Sequence, residues 1–286
     1  MITGTVGQKE ETPVRIIDAH LHLFPSGAHT DEMARRVGHE NSAAHLRKEY
    51  ARLGVVHGVV MGNGSPDEQL RSYPPDLFHY CFGFDSRLMA EGGLKSSDIP
   101  DIVREHLERE SCCGVKLYPG YDPTPLTDSV YGPIYEAAAR YDKPVAIHTG
   151  LTAHPRALLK NCHPLLLDEI AAAHPRTRFV MCHFGNPFFE SSAAVLDKNR
   201  NVCADLSGLL EGPFDVEDYL AEQAGYVFLL KAWLAAADAW DRIMFGTDWP
   251  IINYEAYIDL LRRILPEKRR DAVFFENANR IYGLGL

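Results

Sequence analysis

Residues 144–183 contain the stretch that decides the fold: PVAIHTG at Pro144–Gly150, LLLDEIAAAH at Leu165–His174 and TRFVMCH at Thr177–His183. The outer two are short apolar runs bounded by turn residues, the mark of buried parallel strands. The middle one carries apolar residues at helical spacing. Strand, crossover helix and strand make one βαβ unit. Each strand ends on a histidine, His148 in one case and His183 in the other.

Working outward, the same unit recurs along the chain. Strand-like runs begin near Val14, Val55, Phe78, Gly114, Pro144, Thr177, Asn201 and Arg242. Their mean spacing is about 33 residues, which suits one strand plus a crossover helix. Helices are expected between them over Asn41–Leu53, Asp98–Glu110, Asp128–Arg140, Leu165–Ala173, Ser191–Leu196, Val216–Ala239 and Tyr254–Leu265, with a closing segment at Glu267–Tyr282. Strict alternation predicts a parallel sheet covered by helices. Eight units within 286 residues predict a single-domain α/β chain folded as a (β/α)8 TIM barrel over residues 15–286. An open doubly wound sheet lacks its fingerprint, because Gly62-Asn63-Gly64 runs into Ser65-Pro66-Asp67.

Bulk composition narrows the function. Hydrophobic residues at 46% and charged residues at 24% describe a globular chain and exclude disorder. A net charge of −10 argues against nucleic acid or an anionic membrane as partner. No apolar run reaches the roughly 18 residues that a membrane span needs. Residues 1–14 (MITGTVGQKEETPV) lack the apolar core of a signal peptide and read as a loose tail. Six cysteines without CxxC spacing suit a reducing cytoplasm. The expected partner is a small-molecule substrate, with homo-oligomerisation left open.

A barrel does its chemistry at the C-terminal ends of its strands. Those ends carry His20 and His22, Lys116, His148, His183 and Asp248. Singly, each has a bland reading. With 13 histidines in the chain a His-x-His pair is weak evidence, and Asp248 in GTDWP suits an Asx turn. Lys116 suits an interior ion pair. Together they differ: four histidines and an aspartate at the ends of four strands are the donor set of zinc and similar divalent metals. The nine other histidines fall in loops, helices and strand interiors. Among the described motifs there is no G-x-S-x-G elbow, no P-loop and no pair of strand-end carboxylates such as a glycosidase needs.

The ordered segments IIDAHLHLFP, GVKLYP, PVAIHTG, FVMCHFGNP, NVCADLSG, RIMFGTDWP and ENANRIYGL resemble the amidohydrolase-related family over about Arg15 to Leu284. That branch contains both decarboxylases and a pyrone dicarboxylate lactonase. The resemblance implies a (β/α)8 barrel with a metal at its mouth. By position it makes His20, His22 and His148 ligands and Asp248 the fourth. His183 becomes the residue acting beside the metal or binding a second one. Lys116 aligns with a lysine that bridges two metals in some members.

The expected activity is hydrolysis of a lactone, amide or ester-like carbonyl with a divalent ion, zinc foremost and manganese second. One ion is expected, and two remain open. Asp248 is expected to carry the proton, and His183 to polarise the carbonyl or support the oxyanion. Tyr118, Tyr121 and Trp249 are expected pocket walls. Decarboxylation by the same cradle is the alternative. It calls for a cationic clamp, for which Arg87 in FGFDSR is the nearest basic residue. Beyond these stand a metal-free lactonase and a catalytically silent binding barrel.

Overall fold

A computed structural model describes residues 15–93 and 95–286. The expected tail at residues 1–14 lies outside the described residues. Eight strands form one sheet: β1 (Ile16–Leu21), β2 (Val55–Met61), β3 (Phe78–Phe84), β4 (Cys112–Leu117), β5 (Val145–Ile147), β6 (Phe179–Met181), β7 (Val202–Asp205) and β8 (Ile243–Met244). They lie side by side in chain order, every pair parallel. The ring closes through a parallel bridge between Leu21 and Trp249. The Ala19 N–H donates to the Phe245 carbonyl (3.0 Å) and the His22 N–H to that of Trp249 (2.9 Å). This is the (β/α)8 barrel expected from the alternation.

Side-chain alternation along the strands sorts the apolar residues into two layers. Val60, Phe82, Val115, Val145, Phe179 and Ile243 belong to the large core shared with the helices. Ile17, Val59, Cys81, Ala146, Val180 and Met244 form a second, smaller-volume cluster. Cysteines serve there as small hydrophobes, and all six are buried and free. Ile281, Tyr282 and Leu284 join that inner cluster. They bring the C-terminal segment against the end of the barrel where the strands begin.

Most helices fall where expected; short helices at Pro66–Gln69 and Ser86–Glu91 are additional, and three further places differ. A helix at Ala28–Arg36 buries only Ala34, so it carried almost no apolar periodicity. The expected Val216–Ala239 helix divides at Gln223 into Val216–Glu222 and Ala224–Ala237. The closing segment is a 3-10 turn at Glu267–Arg269, a π-helical turn at Ala272–Glu276 and a short helix at Asn277–Tyr282. Among the described residues no helix is long and apolar enough to cross a membrane.

Candidate metal centre

His20 is the next-to-last residue of β1 and His22 follows its end at Leu21, and both rings converge on Asp248, four residues beyond β8. His20 Nε2 lies 3.3 Å and His22 Nε2 3.2 Å from Asp248 Oδ1. The other nitrogen of each ring fixes what these atoms are. His22 Nδ1 stands 3.0 Å from the Met61 carbonyl, which can only accept, so its proton sits on Nδ1. His20 Nδ1 likewise faces the Asp205 carboxylate at 3.0 Å. Both Nε2 atoms therefore face one carboxylate oxygen, and His20 Nε2 is buried with no hydrogen-bond partner among the described residues. Two imidazole nitrogens and a carboxylate oxygen facing one point are the ligand types a divalent cation takes. The residues fit such an ion.

Titration expresses the same demand for positive charge. Burial works against a charged His20, yet Asp205 outweighs it and holds the pKa well above the ordinary range. Burial likewise opposes ionisation of Asp248, but His183, His20 and His22 hold its pKa well below the carboxylate range. His22 is lowered, chiefly by burial.

Asp205, at the end of β7, was not singled out from the sequence. Its Oδ2 orients His20. Its Oδ1 accepts from the His183 N–H (2.9 Å), the Ser207 N–H (3.1 Å) and the Ser207 hydroxyl (2.5 Å). The strand-end rule applied to NVCADLS would have found it. Asp18 was also missed. It accepts from the N–H groups of His20 (3.2 Å) and Thr247 (2.9 Å), from the Thr247 hydroxyl (2.6 Å) and from the Tyr254 hydroxyl. It thus ties β1 to the segment carrying Asp248. Burial pushes its pKa up to about 6 against those hydrogen bonds.

His148 and His183 form a second pair beside the trio, with His148 Nδ1 3.1 Å from His183 Nε2. His148 Nε2 faces the Leu151 carbonyl at 3.0 Å, and His183 Nδ1 faces that of Ser207 at 3.2 Å. Each proton is thereby assigned to the far nitrogen, leaving two lone pairs opposed. His183 is pushed down to about 4 by burial, and His148 well below its ordinary value by burial and then by His183. His148, expected among the first three ligands, is not gathered with His20, His22 and Asp248, because its ring is held between Leu151 and His183. His183 carries its proton toward Ser207, so its inner edge accepts rather than donates.

Backbone and space are fitted to these side chains. His183 and Asp248 both adopt φ of 62°, a left-handed conformation uncommon outside glycine. Gly208 lies against both. A Cβ there would stand 2.8 Å from His183 Nδ1 and 2.9 Å from Asp248 Oδ2.

A cavity of about 360 Å³ opens above the centre. His22, Phe24, Lys116, Tyr118, Tyr121 and Arg87 are among its walls. A second cavity of about 300 Å³, reaching Leu151, Asn186 and Ile251, shares Tyr121, His148, His183 and Asp248 with the first. The Tyr118 hydroxyl donates to the Gly62 carbonyl at 2.7 Å. Lys116 is fully buried, its Nζ 2.9 Å from Cys182 Sγ, with no carboxylate in ion-pair reach among the described residues. Arg87 is half exposed, and its Nε and Nη2 grip Asp85 at 3.1 and 2.8 Å. Trp249 is corrected outright. It is fully buried, 4.9 Å from His39 and 5.6 Å from Tyr254 by ring centroids, and lines neither cavity. Its backbone bridges to Leu21, which turns the indole outward into the helix layer.

Residues 17–284 match the amidohydrolase family, and the chain belongs to that family. Solved structures with the same fold include a zinc-bound amidohydrolase from Burkholderia multivorans, 17% identical, covering 94% of this chain and 99% of that one with a TM-score of 0.65. A probable 2-pyrone-4,6-dicarboxylic acid hydrolase from Acinetobacter baumannii is 15% identical, covers 94% and 99%, and gives 0.64. A 2,6-dihydroxybenzoate decarboxylase from Rhizobium is 15% identical, covers 95% and 99%, and gives 0.65. The chain is thus similar to hydrolases and decarboxylases alike. No curated protein matches it.

Proposed function

We propose that this protein is a metal-dependent hydrolase of a small lactone, amide or ester-like substrate. The observation that carries the reading is the convergence of His20 Nε2, His22 Nε2 and Asp248 Oδ1 on one point. These three residues would hold one divalent ion, zinc by donor type, with manganese second. His148 would join them on exchanging its contact with Leu151 for the ion. The facing lone pairs of His148 and His183 are the place for a second ion if there is one. A bound cation would supply Lewis acidity and bring the pKa of water toward roughly 7.

The chain's own residues do the rest. Asp248, ionised and at the junction of the two cavities, takes a proton from water and returns it to the leaving group. His183, neutral in its buried setting, can accept a proton at Nε2. Lys116 faces substrate as an unmodified amine, whose N–H groups can reach a carbonyl oxygen or an acid group. Phe24, Tyr118 and Tyr121 give that cavity apolar walls that limit water. Two cavities meeting at Asp248 leave space for the acyl side and the leaving-group side of the cleaved bond. The six free cysteines support a reducing, cytoplasmic setting.

Decarboxylation is the second reading, favoured by one observation: Lys116 is a buried amine with no carboxylate in ion-pair reach among the described residues. Against it, the guanidinium fork of Arg87 is already filled by Asp85. The test is a panel of lactones, amides and unsaturated or aromatic carboxylates offered to metal-loaded protein, with acid release and carbon dioxide followed separately. Acid release supports hydrolysis. Carbon dioxide without acid release from any hydrolysable substrate would sink it.

A further inference from the structure

At the end of the barrel opposite the metal centre, where β6, β7 and β8 begin, five arginines line one cleft of about 310 Å³. Arg176 and Arg178 precede β6, Arg200 precedes β7, Arg242 precedes β8, and Arg280 comes from the last helix. Among the described residues only Asp142 and Asp241 oppose them there, which leaves an excess of three positive charges in a chain whose net charge is −10. Like charges are not gathered without cost, and surface charges close together feel one another within a Debye length of about 8 Å.

The arginines are only partly satisfied by the protein. Arg178 pairs with Asp142 at 2.8 Å and donates to the Ile281 carbonyl at 2.8 Å. Arg280 donates to the Asp241 carbonyl and to Asn277 Oδ1. Arg176 and Arg200 make no ion pair among the described residues. Arg242 is the telling member. It is only 6% exposed, and its Nη1 is fixed by the carbonyls of Asn199 (3.0 Å) and Val202 (2.6 Å). Its Nε and Nη2 have no hydrogen-bond partner among the described residues. Those two nitrogens form the side-on fork that grips a carboxylate or phosphate through two oxygens. The nearest carboxylate, Asp241, is 3.9 Å from Nε, too far for a hydrogen bond, and it is an exposed side chain free to turn aside. Leaving buried guanidinium N–H groups unpaired is costly, and an incoming oxyanion removes that cost.

We propose that this cleft is a binding site for a phosphate-class polyanion, with Arg242 as its buried anchor and Arg176 and Arg200 as its outer clamps. One phosphate monoester carries about two negative charges near neutral pH, so an excess of three calls for more than one phosphoryl group. The ligand is accordingly a diphosphate or longer, free or carried by an organic group. The site does not depend on the catalytic reading, since no residue is shared.

The test is calorimetric titration of the purified protein at physiological salt with inorganic phosphate, pyrophosphate, a nucleoside diphosphate and citrate. Pyrophosphate is expected to saturate at one per chain, at least about tenfold tighter than inorganic phosphate, and to weaken as salt is raised. The double substitution Arg176→Glu with Arg200→Glu is expected to weaken it at least about tenfold, with the melting temperature little changed because neither side chain holds the fold. A nucleoside diphosphate binding more tightly than pyrophosphate assigns the ligand an organic part, and equal binding assigns free polyphosphate. Three results overturn the proposal: no saturation, citrate matching pyrophosphate, or binding that survives the double substitution and so belongs to the metal centre.

Discussion

His22 presents Nε2 to Asp248 Oδ1 at 3.2 Å while its Nδ1 proton is committed to the carbonyl of Met61. Neither atom of that contact brings a proton to it, so the pair is stable only around positive charge. Purified protein is expected to contain about one zinc or manganese per chain, and His22→Ala to lose it, both read by elemental analysis. Asp248→Asn is expected to melt within a few degrees of the parent and to turn over at least about 10²-fold more slowly. Turnover within a few-fold would reduce Asp248 to a turn residue.

Asp205 touches the centre only through other side chains. Asp205→Asn keeps the shape but weakens the grip on the Nδ1 proton of His20. Metal affinity is expected to fall about 10–100-fold, the scale of outer-shell partners. Competition against a chelator measures it, and an unchanged affinity would separate Asp205 from the metal.

Gly208 has φ of 56°, and a Cβ on it would press on His183 and Asp248. Gly208→Ala is therefore expected to lower turnover at least about tenfold, while stability falls by on the order of 1 kcal/mol from the left-handed backbone. Kinetics beside thermal denaturation distinguish the two effects. Equal activity would show that the two side chains have room to move.

Away from the site, His57 Nε2 lies 2.7 Å from His79 Nδ1 on neighbouring strands. Burial, then the charge of His79, pushes His57 down to about 4 from 6.5. A base with a depressed folded pKa gives stability that is complete above 6.5 and lost as pH falls toward 4. The loss is on the order of 1–3 kcal/mol. His57→Asn is expected to flatten the stability curve in that window, as measured by denaturant melts at pH 7, 5.5 and 4.5. An unchanged acid slope would count against a neutral buried His57.

The barrel was legible because its signal is repetition. The runs at Val55 and Phe78 begin their strands where the pattern predicts, and Leu165–Ala173 is recovered to the residue. Helix Ala28–Arg36 was not, since a helix burying one alanine leaves no periodicity to read. At the site, residue type and strand position were enough for His20, His22, His183 and Asp248 to be brought to one end of the barrel. What sequence could not supply was direction. Trp249 follows Asp248 and faces the other way, and His148 sits at the right height with its ring turned toward His183. Arg87 is near enough to serve but is held by Asp85, two residues before it.

The two cavities that meet at Asp248 also bear on inhibition. A compound filling only one of them leaves a second approach to the reacting group open. A bipartite ligand with a flat arm against Tyr118 and a slimmer arm toward Leu151 would occupy both approaches at once. The two arms would be tethered above Asp248, so the second would bind at the high local concentration set by the first. Selectivity over barrels with a single chamber would come from the arm that those barrels have no room to receive.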